Sequence, residues 1–359
     1  MNDTASVMPP PAWTRPLLNH PVRDHPVRDR PVRDRPVRVL FFGGGQDSTA
    51  LLYLYVYSQP FRDQFCPDAH LLVIMADTGD EYRQTYQHVA TVREFCQRHG
   101  IEFHLITPDM GYHGRTWPSL LAQMERNDTI MSVAFPKSCT DNLKIKVCYS
   151  FLADWLRQAY GFKSKGHRVY YEYAHFYGKL VSWIGFAAGE EVRVKRNKAP
   201  KDSSADSIGT PATLTLFADC GAASDAVTQR TDIPRYRSRC VVHRYPLIEL
   251  GMSRLACQQY IAQTGMAVPP PSNCQMCPFQ NQAEIVLLFR TDLPTWNRWV
   301  EREAAKLAKN AHKPVNLGVK GKLTLPQYLA EALLKYGAWT IEQLTEYRFS
   351  HGHCVLSSY

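Results

Sequence analysis

Short apolar runs alternate with amphipathic stretches through the first half of the chain, and the two periods predict its elements. Residues 37–42, 71–76, 101–106 and 181–187 are runs of strand length rich in Val, Ile, Leu and Phe, as strands buried on both faces are. Residues 47–57 and 85–99 lie between them and read as helices. In the second of these, Tyr86, Val89, Val92, Phe95 and Cys96 recur at helical spacing on one face, and Gly100 supplies a stop. Residues 143–160 repeat the amphipathic pattern. Strand, helix, strand, helix, strand is the order of an α/β fold with a doubly wound parallel sheet. Beyond Pro246 the pattern turns helical. Ser253 caps a helix to about Gln263, another starts near Gln282, and a third spans residues 326–336. The expected organisation is a tail (1–36), a sheet domain (37–194), an insertion or mobile loop with little periodicity (195–240) and a helical C-terminal region (241–359).

The turn after the first strand carries the most informative residues. Gly43, Gly44 and Gly45 let backbone approach a ligand without Cβ interference. The first-turn N–H groups of the following helix, at the positive end of its dipole, would face an anion. Ser48 and Thr49 add hydroxyls, Gln46 lies between glycines and acid, and Asp47 would hold a magnesium ion or orient the loop. The Walker pattern and the spaced-glycine dinucleotide fingerprint are both absent. The second strand ends in Asp77, Thr78, Gly79, Asp80 and Glu81, at the carboxyl edge where open α/β sheets bind ligands.

Residues 43–48 (GGGQDS) resemble the pyrophosphate loop of the adenine nucleotide α-hydrolase (PP-loop ATP pyrophosphatase) superfamily, usually Ser-Gly-Gly-x-Asp-Ser, with Gly43 in place of the serine. Asp77-Thr78-Gly79 followed by Glu81 and Thr85 resembles the second motif of its phosphoadenylyl-sulfate (PAPS) reductase branch. Ser138-Cys139-Thr140 with Leu143-Lys144-Ile145 is similar to that branch's cysteine–threonine–lysine segment. Trp183-Ile184-Gly185 with Glu190, Glu191, Arg193 and Arg196 is similar to its Glu-Ser-x-x-Arg segment, with Glu191 where serine is usual. Tyr245–Glu249 and Cys274-Gln275-Met276-Cys277-Pro278-Phe279 complete the series. The resemblance covers roughly residues 37–300 and implies a Rossmann-like sheet. It also implies ATP or PAPS bound with phosphates on Gly43–Ser48 and adenine near Asp77, Thr78 and Gly79. Magnesium would neutralise the phosphates, Asp47 and Ser48 would act at the reaction centre, and Lys144, Arg193 and Arg196 would hold phosphate or sulfate.

Two thiolates separated by two residues, as Cys274 and Cys277 are, bite one metal in a tight turn. Related iron–sulfur reductases pair an early cysteine site with a late Cys-x-x-Cys, which makes Cys139 the expected third ligand. Thr140 stands where a second early cysteine is usual, so the fourth position is open to Cys354, Cys257, a histidine or no protein group. A [4Fe–4S] cluster, a zinc ion and a metal-free structural pair all remain open.

Composition adds limits. The chain has 359 residues, 45% apolar and 21% charged, ordinary globular values. It shows no apolar run near the roughly 20 residues that span a bilayer and no apolar leader, so a cytoplasmic location without membrane contact is expected. Ten cysteines in such a length are too dilute for a disulfide scaffold. The formal charge of +9 suggests an anionic partner larger than a nucleotide. Residues 20–38 repeat HPVRD, HPVRD, RPVRD, RPVR. Proline every fifth position forbids a regular helix there, so the segment reads as a solvated tail or as a basic arm.

Three functions fit these features. One is ATP-dependent adenylation of an acceptor with pyrophosphate release and sulfur transfer, with a nucleic acid or a sulfur-donor protein as partner. A second is a PAPS or adenylyl-sulfate reductase using Cys354, which lies between His353 and Val355 near the end of the chain, where neighbouring histidines would lower a thiol's pKa. A third is a non-catalytic nucleotide-sensing or nucleic-acid-binding protein.

Overall fold

The computed structural model describes residues 31–134, 138–198 and 233–351. Most of the repeat tail, residues 199–232 of the expected insertion, and Cys354 lie outside the described residues. The sheet is the doubly wound parallel one the pattern predicts. It consists of β1 (Val37–Phe41), β2 (His70–Ala76), β3 (Glu102–Ile106), β4 (Leu180–Ile184) and β5 (Val241–Arg244), ordered β3-β2-β1-β4-β5 with every pairing parallel. The chain builds outward from β1 to β3, then returns to build β4 and β5 on the other side. The crevice between the carboxyl ends of β1 and β4 is therefore the switch point, where sheets of this kind bind ligands.

The first half of the chain supplies α1 (Gln46–Tyr57), α2 (Gln59–Phe65), α3 (Arg83–Arg98), α4 (Leu120–Asn127), α5 (Lys146–Tyr160), α6 (Val169–Tyr177) and α7 (Glu191–Lys198). The second half supplies α8 (Arg235–Cys240), α9 (Pro246–Glu249), α10 (Arg254–Gln263), α11 (Gln282–Thr291), α12 (Leu293–Lys309), α13 (Leu325–Tyr336) and α14 (Ile341–His351). Along β1 and β2, alternate residues enter different cores. Leu40, Leu71, Val73 and Met75 pack with α1, α3 and α10 on one face, whereas Val37, Val39, Phe41, Leu72 and Ile74 pack with α5, α6 and α8 on the other. That double burial explains why these strands read as nearly unbroken apolar runs. A third cluster joins α4 to α11, α12, α13 and α14 around Met276, Trp296 and Trp299.

Several expectations are refined. On α3 the buried positions include Thr85 rather than Tyr86, because the Tyr86 hydroxyl is used to hold the loop after β2. The helix expected over residues 143–160 is regular only from Lys146, its first three residues belonging to a π-helical stretch, Thr140–Ile145. The long helix expected from Gln282 breaks at Asp292, whose side chain accepts from Thr295 N and starts α12. β5 is too short and too polar (VVHR) to announce itself by pattern; it is fixed by register against β4.

Gly185, at the end of β4, lies directly against the backbone that starts α1. A Cβ there would lie 2.9 Å from Ser48 N and 3.2 Å from the Asp47 carbonyl carbon. Backbone on the helix side cannot retreat as a flexible side chain can. Gly185→Ala is expected to cost about 1–3 kcal/mol, seen as a lowered thermal unfolding midpoint; an unchanged midpoint would show that α1 is free to move.

Candidate functional site

The loop after β1 forms a cradle at the switch point. Gly44 has a left-handed backbone (φ +73°). Gly45, extended at φ −111° and ψ −177°, precedes α1 without a side-chain cap, so the first-turn amides of α1 are left for a ligand. The hydroxyls expected to contact phosphate brace the loop. Ser48 Oγ accepts from Gly43 N at 3.2 Å and donates to Gly45 O at 3.1 Å. Thr49 Oγ1 donates to Gly45 O at 2.8 Å and accepts from His88 Nε2 at 2.8 Å. This leaves His88 the neutral Nε2–H tautomer, and burial pushes its pKa down to about 4.

Distant segments close over this cradle. A Cβ on Gly45 would meet Ser272 Oγ at 3.1 Å and Ser272 N at 3.3 Å, so the Pro269–Ser272 stretch lies directly against it. Gln46 Nε2 donates to Pro269 O at 3.0 Å, and Gln258 Nε2 donates to both Gln46 Oε1 and Phe349 O at 3.0 Å. Gln46 thus fastens the loop to α10 and α14 instead of pointing at open solvent.

Asp47 sits in an ionic chain that sequence reasoning found only in part. Arg254 Nη2 lies 3.5 Å from Asp47 Oδ2 and 3.2 Å from Glu190 Oε1, and Arg193 Nη1 lies 3.0 Å from the same Glu190 oxygen. The Arg193 guanidinium also covers the Phe186 ring at 3.8 Å. Arg254 had no motif to mark it; its only signal is a cation one place after the Ser253 cap. Burial is the largest influence on Asp47 and raises its pKa from 3.8 to about 6, with Arg254 opposing and Glu190 adding to the rise. Asp47 Oδ1 is buried with no hydrogen-bond partner among the described residues, and a hard carboxylate oxygen of this kind suits the expected magnesium ion.

The loop after β2 is laced by its own side chains. Asp77 Oδ1 accepts from Gly79 N at 2.8 Å and from the Tyr86 hydroxyl at 2.7 Å, while His113 Nε2 donates to Asp77 O at 2.8 Å. Thr78 Oγ1 donates to Glu81 Oε1 at 3.1 Å. Lys144, carried on the π-helical stretch, donates to the same Glu81 oxygen at 3.2 Å. Unsatisfied buried carboxylate oxygens remain at Asp80 Oδ1 and Glu81 Oε2 among the described residues.

Onto this loop the Cys-x-x-Cys turn is stitched. Glu81 and Cys274 form an antiparallel bridge, Gln275 N donates to Asp80 O at 2.7 Å, and Met276 N donates to Asp80 Oδ2 at 3.0 Å. Cys277 N closes the turn on Cys274 O at 3.3 Å. Thr78 Oγ1 lies 3.6 Å from Cys274 Sγ, and Cys139 packs with Cys274 against the third core. Burial first, then the Glu81 and Asp80 charges, holds the Cys274 thiol well above its ordinary range, with Lys144 opposing. Such a thiol is protonated until a cation arrives.

The thiols suit the expected cluster or zinc in chemical kind. Among the described residues, however, no three His, Cys, Asp or Glu side chains gather as a group that could hold a metal ion, and none of the described cysteines is in a disulfide. Cys257 is core, buried in the first cluster beside α1. The Arg196 side chain and Cys354 lie outside the described residues. No described helix is long and apolar enough to cross a membrane.

No family model matches the chain, and no curated protein matches it. Among solved structures it is similar to the U34-tRNA thiolase NcsA from Methanococcus maripaludis with its [4Fe-4S] cluster, at 15% identity over 88% of this chain and 77% of that chain, with a TM-score of 0.31. So remote a likeness leaves the chemistry to be argued from the site's own geometry. The doubly wound parallel sheet, with residues 43–48 in the turn between β1 and α1, is the architecture the PP-loop resemblance implies.

The raised pKa of Asp47 has a signed consequence. A carboxyl that is harder to ionise folded than unfolded costs stability once pH exceeds the unfolded value near 4, and the cost is complete above about 6. Asp47→Asn should therefore melt higher than the parent at pH 8 without ligand, and the gap should close as pH falls below about 4. Thermal unfolding across that range checks this; a gap independent of pH would assign the effect to packing.

Proposed function

We propose that the protein is an adenine-nucleotide-dependent enzyme of the PP-loop type, which activates an acceptor by adenylation and serves sulfur transfer. The observation that supports it most is the uncapped start of α1 beside a glycine loop at the switch point, with Asp47 and its arginine partner at the rim. Amides and a helix dipole suit a polyphosphate without needing a dedicated lysine. An acceptor oxygen attacks the α-phosphorus, and the electrons of the cleaved phosphoanhydride bond leave with pyrophosphate. A sulfur nucleophile then displaces AMP from the activated acceptor. The amides of the first turn of α1 take up charge spreading over phosphoryl oxygens. Asp47 would hold a magnesium ion, which would neutralise phosphate charge, and Arg254 keeps Asp47 and Glu190 compatible at close range. Lys144 neutralises Glu81 and so keeps the loop after β2 folded beside the cradle.

The Cys274–Cys277 turn supports sulfur chemistry because it is fastened to residues Asp80 and Glu81. The reaction as written needs no metal on the thiols; iron, zinc and sulfide analysis of anaerobically purified protein decides whether Cys139, Cys274 and Cys277 carry one. The reductase alternative requires Cys354, outside the described residues, as a nucleophile.

The test is pyrophosphate and AMP release from ATP by the full chain, with and without transfer RNA or DNA as acceptor. Turnover that depends on acceptor is expected. Ser48→Ala, which loosens the loop by two hydrogen bonds, is expected to weaken ATP binding roughly tenfold. ATP binding that is absent in the parent, or indifferent to Ser48→Ala, would remove this assignment; sulfite release from PAPS would replace it with the reductase.

A further inference from the structure

The end of the sheet opposite the cradle carries a second surface with a different chemistry. α5 leaves the site region at Lys146 and reaches Tyr160 fourteen residues on, about 21 Å away at the helical rise. There, Tyr160 and Phe162 stack with centroids 5.4 Å apart and 6° between planes, and Phe162 and Phe176 stack at 6.0 Å and 13°. The ladder ends in solvent, because Phe176 is 64% exposed. An apolar ring left on the surface is not remarkable alone, but this one tops a preordered parallel stack.

The surroundings of the stack are basic. Lys163, Lys165, Arg168 and Lys179 are exposed, and Glu172 is the one acid in residues 161–179. Glu172 is spent on the loop itself, accepting from Ser164 N at 2.9 Å and Lys163 N at 3.3 Å. That arrangement fixes the lysine-bearing loop beside the rings. The same face receives the end of the arginine repeats: the Tyr177 hydroxyl donates to Arg33 O and the Tyr160 hydroxyl to Arg35 O at 2.8 Å. The two tyrosines thus tether residues 31–35, the end of the repeat, to the aromatic ladder.

The geometry points to a docking surface for single-stranded nucleic acid, in which a base stacks on Phe176 and the flanking phosphates lie against Lys163, Lys165 and Arg168. Aromatic rings interleaved with cations on a fixed scaffold are what sequence-tolerant single-strand binding uses. A purely apolar partner would gain nothing from the four exposed cations of residues 163–179. This surface is independent of the adenylation assignment, and ATP binding at the cradle serves as a control for it.

The experiment is fluorescence anisotropy of labelled 12-nucleotide RNA and DNA oligomers against the full chain over a range of salt. Binding of at least one oligomer, weakening steeply with salt, is expected. Phe176→Ala should weaken it roughly tenfold and Phe176→Trp should restore it. Replacing Lys163, Lys165 and Arg168 together by Ala should reduce the salt slope by about 2. ATP affinity should be unchanged in all three proteins, which also reports that they are folded. The RNA and DNA arms identify which polymer the surface prefers. Parent protein that binds neither oligomer, or equal affinities for parent and Phe176→Ala, would overturn the proposal. Self-association lost in Phe176→Ala without oligomer binding would overturn it in favour of a contact between copies of the chain.

Discussion

The backbone bridge between Glu81 and Cys274 is the constraint on which the candidate site depends. It joins the loop at the carboxyl end of β2 to a turn in the C-terminal helical region, and Asp80 reinforces it by accepting from both Gln275 N and Met276 N. Through this join, the Pro269–Ser272 stretch is laid across Gly45, and α10 and α14 reach Gln46. The join acts together with the packing of α10 against α1 in the first core. With it, phosphate cradle, acidic loop and thiol turn share one crevice wall. Buried backbone groups must find partners, so these bonds are obligations of the packing and hold the three segments in register.

The crevice is also where the fold bears unfavourable electrostatics. Burial raises the pKa of Asp47 to about 6 and that of Asp80 to about 7, and Glu81 is buried with a single lysine partner. A structural core would avoid such groups, since a desolvated carboxylate is stabilising only when paired. Their concentration on one edge of the sheet marks a region organised for ligands that bring positive charge, or for chemistry that needs displaced proton affinities. Elsewhere, buried carboxylates are fully engaged: Glu303 accepts from Val319 N and Leu325 N, and Glu284 closes the capping box of α11 with Asn281.

The two ends of the sheet therefore divide the chain's charge. At the carboxyl end, cations such as Arg254, Arg193 and Lys144 are consumed by carboxylates. At the amino end, the cations of residues 163–179 outnumber the acids and border exposed aromatic rings. The net charge of +9 is thus not spent on the cradle.

Much of this was legible in the sequence because it is local. Apolar runs buried on both faces specify the parallel strands, as residues 71–76 show. Three glycines and a short polar run specify a strand-to-helix turn open to an anion, and Ser253 specifies where α10 starts. What only the tertiary structure decided is convergence. Arg254 beside Asp47, Ser272 over Gly45, and Met276 bound to Asp80 across 196 residues have no local signature, because spacing along a chain carries no information about which distant surfaces the cores will press together. β5 shows the same limit from the other side: four residues, two of them polar, become a strand only because β4 offers an unpaired edge. Periodicity fixes which face of an element is buried; the closing of hydrophobic cores around many elements at once fixes its neighbours.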